Sequence, residues 1–394
     1  MAEADPTGGT LPASRAATSA PWTNPPSVSP DLQRLGPLDG LRAVAAGLVV
    51  LTHVGFLTGA VSFGVVGRLL GRGDLGVSIF FALSGFLLYA AMGREWARSG
   101  RVDLPGYYAR RAVRVLPAFW VGLLVVGVAV RPPVRVWLAN ASLTQIYLPD
   151  ALLDGYTQTW SLATEVSFYL VLPFVFLALR RRTARPSVVL RVLAASWVLG
   201  LAAAVVSGLV QIGGDSLAGR WLPAHWPEFA LGMALSVVRD APALRAHRVL
   251  RDLAAYPGTC LALAGGAYLL ATTTVAGPLT LGPVAGIQLA GKGVLGSVVT
   301  AGLMVPLLFG GGSDAFSRAL GLAPARYLGR ISYGVFLWHL PVFEAIYAVT
   351  GINYFTGGAL ALLAVGVPVT LGLAALSERL VERPLMDRVH ARTR

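Results

Sequence analysis

Charge is scarce in this chain, and so are lysine and cysteine. Only 13% of the 394 residues are charged, whereas 55% are hydrophobic and the mean hydropathy is +0.66. Soluble domains carry roughly twice that share of charged residues, so an ordinary soluble protein is excluded. The composition predicts a polytopic α-helical membrane protein. Because Cys260 is the single cysteine, no intrachain disulfide is possible.

Several chemical signatures are also missing from the sequence. The five histidines are far apart, and neither an HExxH motif nor a cysteine pair is present. A phosphate-binding glycine loop and a GxSxG elbow are absent as well. We therefore expect no metal site and no permanently bound cofactor.

The formal net charge of +13 comes almost wholly from arginine, since Lys292 is the only lysine. In a soluble protein this excess would point to nucleic acid, but here the arginines stand at the ends of apolar runs, where membrane topology explains them. We expect no nucleic-acid partner. With ten spans, the predicted outer loops contain only Arg68, Arg72, Arg131, Arg135 and Arg220. This asymmetry predicts a multi-pass protein of the plasma membrane with both termini in the cytoplasm.

The hydropathy pattern predicts an all-α fold with about ten transmembrane helices. Residues 1–36 are rich in Pro, Ser, Thr, Ala and Gly and are predicted to be a disordered cytoplasmic segment. A transmembrane domain follows at 37–385, and a basic cytoplasmic tail at 386–394. The predicted spans are 38–57, 75–93, 113–130, 159–179, 188–210, 221–238, 255–275, 284–309, 328–349 and 357–378.

The first predicted span, LDGLRAVAAGLVVLTHVGFL, carries Asp39, Arg42 and His53. His53 is eleven positions after Arg42, which on a helix is three turns plus about 20°, so the two side chains share a face about 16 Å apart. Ionisable groups inside a span usually face a bundle interior or a wet cavity. The spacing therefore indicates a polar path that enters from the arginine side.

A basic cluster lies where a predicted inner loop enters the third span, in YYARRAVRVLPAFW. Arg111 and Arg114 share a helix face, and Arg110 adjoins them. The three arginines are either a topology anchor or a phosphate clamp, because guanidinium groups bind phosphate bidentately.

Glu165 lies in TQTWSLATEVSFYLVLPF, near the predicted outer end of its helix. A carboxylate there requires a partner, for which His53, Lys292 or a bound substrate are candidates. A structural ion pair is the alternative reading.

Four further polar residues stand in or near apolar spans. His225 and Glu228, three residues apart, are most simply a solvated pair at an outer helix mouth. Lys292 must pair or lose its charge, and we expect it to line a cavity. His339, in ISYGVFLWHLP, is either a packed core residue with one hydrogen bond or a cavity residue.

The segment GVSIFFALSGFLL combines large apolar residues with Ser84 and Gly85. Small residues on a membrane helix allow a neighbouring helix to approach closely. Packing is therefore the simplest role for this segment.

Taken in order, these segments resemble the integral-membrane acyltransferase family 3, whose members modify surface glycans or secondary metabolites. The resemblance covers residues 37–385 and includes a terminal VERPL. It implies that Arg42 and His53 form the family's essential Arg-x10-His pair, and that Arg111 and Arg114, with Arg110 beside them, bind acyl-CoA. The family's W-S-L-A-x-E motif falls on Trp160, Ser161 and Glu165, and Glu165 is expected to take part in catalysis with Arg42 and His53.

The resemblance implies a membrane-bound O-acyltransferase that moves an acetyl or other short acyl group from acyl-CoA to an alcohol. His53 would be the base, Arg42 would guide the donor or stabilise charge, and Ser161 or Tyr333 would serve as oxyanion donor. The acceptor is a glycan or a secondary metabolite such as a macrolide, and an oligomer is compatible with the sequence. The chain departs from the family at Ser78 and Val166, where acids are usual. An exporter of lipid-linked or small polar cargo, with a buried proton relay, is the alternative.

Overall fold

The computed structural model describes residues 36–180, 185–209, 217–279 and 284–392. Within these ranges the chain is mainly helical and contains no β-strand, which confirms the predicted all-α class. The predicted N-terminal segment lies outside the described residues except for Gly36. So do residues 393 and 394 of the predicted tail.

The first half of the chain supplies α1 and six further helices, all hydrophobic along most of their length. Their bounds are α1 Gly36–Leu57, α2 Gly64–Gly71, α3 Gly76–Ser99, α4 Leu104–Val130, α5 Val134–Ala141, α6 Trp160–Leu179 and α7 Pro186–Ser207.

The second half alternates long helices with short ones. Their bounds are α8 Leu222–Arg239, α9 Arg245–Ala254, α10 Pro257–Ala271, α11 Gly286–Phe309, α12 Ala315–Gly321, α13 Ala323–Arg330, α14 Ser332–Thr350, α15 Ala359–Ala361, α16 Val367–Ser377 and α17 Arg383–Arg392. Two π-helical turns, Leu362–Gly366 and Glu378–Glu382, join α15, α16 and α17.

Each of the ten predicted spans overlaps at least one helix, but not every one of these helices is long and apolar enough to cross a membrane. Among the described residues, seven helical segments are long and apolar enough to cross a membrane, or eight if α9 and α10 count as one. These two helices meet at a 92° bend. The count of ten and the orientation of the termini therefore stay predictions.

Two of the predicted spans are short and polar for a membrane crossing. Helix α8 has 18 residues and buries His225 and Glu228, and α14 has 19 residues and buries His339. Polar side chains on these helices lower the hydropathy, yet they point to the interior of the bundle, where they are shielded from lipid.

Glycine residues allow helices α3 and α8 to approach each other closely. A Cβ atom added to Gly85 would lie 2.3 Å from the carbonyl oxygen of Phe229, and one added to Gly232 would lie 2.0 Å from that of Ala82. Neither position can accept a side chain without moving the backbone. The packing role predicted for the segment around Gly85 is confirmed.

An aromatic stack fills the interior beside this crossing. The rings of Phe168 and Phe229 stack at a centroid distance of 4.1 Å, and those of Phe81 and Phe229 at 4.5 Å. Apolar side chains on the outer face of α4, such as Leu124 and Val128, remain exposed, as expected for a helix that faces lipid. The bundle thus has an aromatic core and a hydrophobic outer surface.

Candidate active site

Three arginines from two helices converge on one narrow cavity of about 90 Å³, which we call the arginine cavity. Arg42 reaches it from α1, and Arg111 and Arg114 reach it from α4. The other polar residues that line it are Ser84, Ser161, Glu165, Tyr169, Ser332 and Tyr333. The predicted shared face of Arg111 and Arg114 therefore opens on a cavity inside the bundle, and Arg42 lies on the same cavity.

The carboxylate of Glu165 is held by two hydroxyl groups. Ser84 donates a hydrogen bond to Oε1 of Glu165, and Tyr169 donates another over 2.6 Å. The predicted partners His53 and Lys292 are wrong, because both line a different cavity. Ser84 lies on α3, and Tyr169 lies one turn after Glu165 on α6. Because both are hydroxyl side chains, neither stood out in the sequence as a charged partner for the carboxylate.

The arginines differ in their contacts. Arg42 lies 3.6 Å from Asp39, one turn earlier on α1. The Arg111 guanidinium lies over the Tyr169 ring, 5.9 Å from its centroid, in the geometry of a cation–π contact. Arg110 does not line the arginine cavity; it lies 3.8 Å from Asp103, whose side chain caps the start of α4.

A second, wider cavity of about 690 Å³ contains His53, and we call it the histidine cavity. Polar and aromatic residues from six helices and three loops surround it. They include His53, Asp74, Ser78, Trp160, His225, Glu228, Lys292, Glu344 and Tyr354.

His53 is held by a carbonyl group and by a second histidine. Its Nδ1 lies 2.8 Å from the carbonyl oxygen of Val49 and 3.3 Å from Nε2 of His339. Nδ1 of the fully buried His339 lies 3.0 Å from the carbonyl oxygen of Val335. Because a carbonyl oxygen can only accept, both imidazoles carry hydrogen on Nδ1. The Nε2 atom of His53 then keeps a lone pair, and no described residue hydrogen-bonds to it.

The only lysine pairs with an acid that sequence reasoning missed. Nζ of Lys292 donates a hydrogen bond to Oδ2 of Asp74, in the turn before α3. The buried Arg72 lies 3.7 Å from the same oxygen and donates to the carbonyl oxygens of Ala276 and Gly277. A sequence signal existed, because Arg72 and Asp74 are two charges at the mouth of an apolar span.

His225 and Glu228 are enclosed, and the solvated pair predicted from the sequence is wrong. Glu228 is only 3% exposed, and its Oε1 lies 3.7 Å from Nδ1 of His225. Ser78, which stands where an acid was expected, donates to the same oxygen over 3.4 Å. Helix α8 therefore places a carboxylate, that of Glu228, beside the position on α3 where an acid was expected.

The loop after α14 forms part of the wall beside His53. The Phe355 N–H donates to the carbonyl oxygen of Leu57 over 2.7 Å, and the Tyr354 hydroxyl donates to Glu344. This hydrogen bond raises the pKa of Tyr354 to about 12, so the hydroxyl remains a donor at neutral pH. The loop is thereby tied to both α1 and α14.

The two cavities are neighbours, and α1 and α3 contribute to the walls of both. Val77 lines both of them, and α1 contributes Arg42 to one and His53 to the other. Trp160 and Ser161, adjacent in sequence, also divide between them. Arg42 and His53 therefore line two neighbouring cavities, and a continuous polar path between them stays a prediction.

The two hydroxyls considered as oxyanion donors are already engaged. Ser161 donates to the carbonyl oxygen of Gln158 over 3.1 Å, and Tyr333 to that of Val115 over 2.7 Å. Both line the arginine cavity and not the histidine cavity. No group of three His, Cys, Asp or Glu side chains with the geometry of a metal site occurs in the described ranges.

The fold and these cavities define a polytopic helical membrane protein. Its interior contains polar cavities lined by three arginines and by the His53 imidazole. The chain belongs to the Acyltransferase domain family, acyltransferase family 3, which it matches over residues 36–379. The family resemblance seen in the sequence is confirmed.

Relatives in three bacteria carry O-acetyltransferase names. The chain is 26% identical over 373 residues to the peptidoglycan O-acetyltransferase OatA of Listeria monocytogenes, covering 88% of this chain and 55% of that protein. It is 24% identical over 379 residues to the O-acetyltransferase OatA of Staphylococcus aureus, covering 88% and 56%. A putative peptidoglycan O-acetyltransferase of Bacillus subtilis, YrhL, is 26% identical over 370 residues, covering 88% and 54%.

The chain therefore spans just over half the length of these relatives. No solved structure matches it.

Proposed function

We propose that the protein is a plasma-membrane O-acyltransferase that moves an acetyl or other short acyl group from acyl-CoA to a hydroxyl group of a glycan. The observation that carries this proposal is the presence of two neighbouring cavities that share Val77, one with three arginines and the other with His53. Family membership and the names of the relatives support acyl transfer to a glycan over the export of a polar cargo.

The donor binds in the arginine cavity. Coenzyme A carries three phosphate groups, and the fork of Arg111 and Arg114 suits bidentate phosphate binding. The thioester then passes Val77 toward His53, and Arg42 offsets negative charge along this route.

His53 acts as the general base. Its Nε2 accepts the proton of the acceptor hydroxyl while the hydroxyl oxygen bonds to the thioester carbonyl carbon. The carbon–sulfur bond breaks, and the CoA thiolate takes the proton from Nε2. The contacts of Nδ1 with Val49 and His339 support this role, since they fix the ring and leave Nε2 as the basic nitrogen.

The orientation follows the arginine distribution. With both termini in the cytoplasm, Arg111 and Arg114 face cytoplasmic acyl-CoA, and the histidine cavity opens toward the opposite side. A donor from inside and a glycan from outside then meet at His53.

The experiment is acyl transfer by the purified protein in nanodiscs. We expect CoA thiol release that depends on a glycan acceptor, together with an acylated product. His53→Ala should lower transfer by about 10²–10⁴-fold, the usual contribution of a general base. His247→Ala is the matched control, because His247 lines neither cavity. Wild-type transfer by His53→Ala would show that the base assignment is wrong.

A further inference from the structure

Helix α9 runs across the end of the bundle, because it meets α10 at a 92° bend. Helix α10 follows α11 in the opposite direction. A Cβ atom added to Gly302 of α11 would lie 2.6 Å from the carbonyl oxygen of Cys260, and one added to Gly291 would lie 2.5 Å from that of Val275, just after α10. Since α11 is long and apolar enough to cross a membrane, α9 points along the membrane plane.

Two contacts of His247 fix the level of α9 in the bundle. Its ring lies edge to face with that of Phe309, the last residue of α11, at a centroid distance of 5.5 Å. Its Nδ1 lies 2.9 Å from the carbonyl oxygen of Val238, near the end of α8. One face of α9 is therefore held against the ends of two long helices, where the apolar part of the bundle stops.

The opposite face of α9 is basic. Arg245, Arg248 and Arg251 are exposed, and their spacing of three residues places them within about 120° of the helix circumference. Ala254, about 180° from Arg245, is buried. Asp252 is the only acid on the helix, and it lies 3.6 Å from Arg251 at an exposed position, where ion pairs are weak. The face therefore keeps most of its positive charge.

Apolar and aromatic side chains border this basic face. Val249, about 40° from Arg245 around the helix, is 53% exposed, and Tyr256, in the bend before α10, is 68% exposed. Basic residues beside exposed apolar ones, on a helix in the membrane plane, are typical of an interfacial helix. A topology signal alone needs positive charge in the loop but no shared helix face. Among the described residues, no side chain pairs with Arg245 or Arg248.

We propose that α9 is a binding surface for anionic phospholipid, with Arg245, Arg248 and Arg251 on the headgroup phosphates and Val249 and Tyr256 between the lipids. Guanidinium groups bind phosphate bidentately. Charge complementarity favours a headgroup with net negative charge, such as that of phosphatidylglycerol, over a zwitterionic one. These residues line neither cavity, so the surface is separate from the proposed acyl-transfer site.

The test measures thermal stabilisation of the purified protein in detergent by added lipid. Dioleoyl phosphatidylglycerol should raise the melting temperature at mole fractions where dioleoyl phosphatidylcholine does not. Each of Arg245→Gln, Arg248→Gln and Arg251→Gln should raise the mole fraction needed for half of this effect about fivefold. The triple variant should lose the difference between the two lipids.

The matched control is the triple variant Arg94→Gln/Arg98→Gln/Arg101→Gln, which removes the same charge from exposed positions at and just beyond the end of α3. It should respond to phosphatidylglycerol as the wild type does. A wild-type response in the α9 triple variant would overturn the proposal. Equal losses in the two triple variants would show a general effect of net charge and would overturn it as well.

A soluble anion separates the lipid from a free phosphate. Glycerol 1-phosphate carries the headgroup phosphate without acyl chains and should not stabilise the protein. If it matched phosphatidylglycerol, α9 would be a site for a soluble phosphate compound, and the lipid assignment would be wrong.

A second measurement leaves the three arginines in place. Val249→Cys, in a protein whose only cysteine, Cys260, is replaced by alanine, carries a fluorophore on α9. In nanodiscs that contain phosphatidylglycerol, nitroxide-labelled lipid headgroups should quench this fluorophore. An unquenched fluorophore would place α9 in water, away from the lipid, and would overturn the proposal.

Discussion

Nε2 of His339 lies 3.3 Å from Nδ1 of His53, so that a buried histidine on α14 contacts the one ionisable group that α1 places in the wider cavity. The two rings are nearly edge to face, with centroids 4.8 Å apart. His339 itself has Phe336 and Phe343 as aromatic neighbours. Its position fixes the plane of the His53 ring.

This contact makes His339 a positioning residue in the proposed reaction. His339→Phe removes the acceptor beside Nδ1 of His53, and kcat should fall by about 3–10-fold, the value of one ordinary hydrogen bond. The apparent KM for acyl-CoA should not change, since His339 does not line the arginine cavity. His339→Gln offers an amide oxygen in place of the ring nitrogen and should recover part of kcat. Equal kcat values for wild type and His339→Phe would contradict the positioning role.

The donor site leads to a prediction about affinity. Arg111→Ala and Arg114→Ala should each raise the apparent KM for acyl-CoA by about 10–100-fold, because a hydrogen bond to a charged group contributes about 1.5–3 kcal/mol. Steady-state kinetics with a fixed acceptor measure the change. Arg98→Ala, an exposed arginine at the end of α3, is the control.

The sequence predicts that Arg110 binds the donor together with Arg111 and Arg114, whereas the structure places Arg110 outside the arginine cavity. Its side chain lies 3.8 Å from Asp103 and is not part of the cavity wall. If Arg110→Ala raises the apparent KM for acyl-CoA as much as Arg111→Ala does, Arg110 also binds the donor and the donor site extends beyond the arginine cavity.

The crossing of α3 and α8 predicts a stability effect. Gly85→Ala would place a Cβ atom 2.3 Å from the Phe229 carbonyl oxygen, so one helix must move. We expect a loss of about 1–3 kcal/mol, the usual cost of overpacking. A lower melting temperature in detergent measures it. Gly93→Ala on the same helix is the matched control, because no heavy atom lies within 4 Å of the added Cβ. Equal melting temperatures for the two variants would argue against close contact.

Membrane orientation can be tested with single cysteines. The only native cysteine, Cys260, is buried and can be replaced by alanine to give a cysteine-free background. With both termini in the cytoplasm, Ser99→Cys should be protected from an impermeant maleimide in intact cells, and Thr356→Cys should react. Both positions are exposed. The reverse pattern would invert the topology and place the arginine cavity on the outside.

Most of the helical architecture could be read from the sequence because long apolar runs have few alternatives in a membrane. The polar helices α8 and α14 were located, although their hydropathy falls short of a typical span. Individual hydropathy windows cannot show the 92° bend between α9 and α10, because it depends on how the two helices pack.

The candidate site was also predictable from the sequence only in part. The spacing of Arg42 and His53, and of Arg111 and Arg114, follows from the helical repeat within one element, so the sequence predicts their shared faces. The partners of Glu165, Lys292 and His53 come from other elements, separated by up to 286 residues. Local periodicity contains no information on such pairs.

The sequence by itself determined the class of this protein, its helices, the family and the face of α1 that carries Arg42 and His53. Only the tertiary structure decided that these residues line two neighbouring cavities, that His339 contacts His53, and that Lys292 pairs with Asp74. The physical reason is that burial and helical periodicity are local properties of the chain, whereas hydrogen-bond partners depend on which helices pack together.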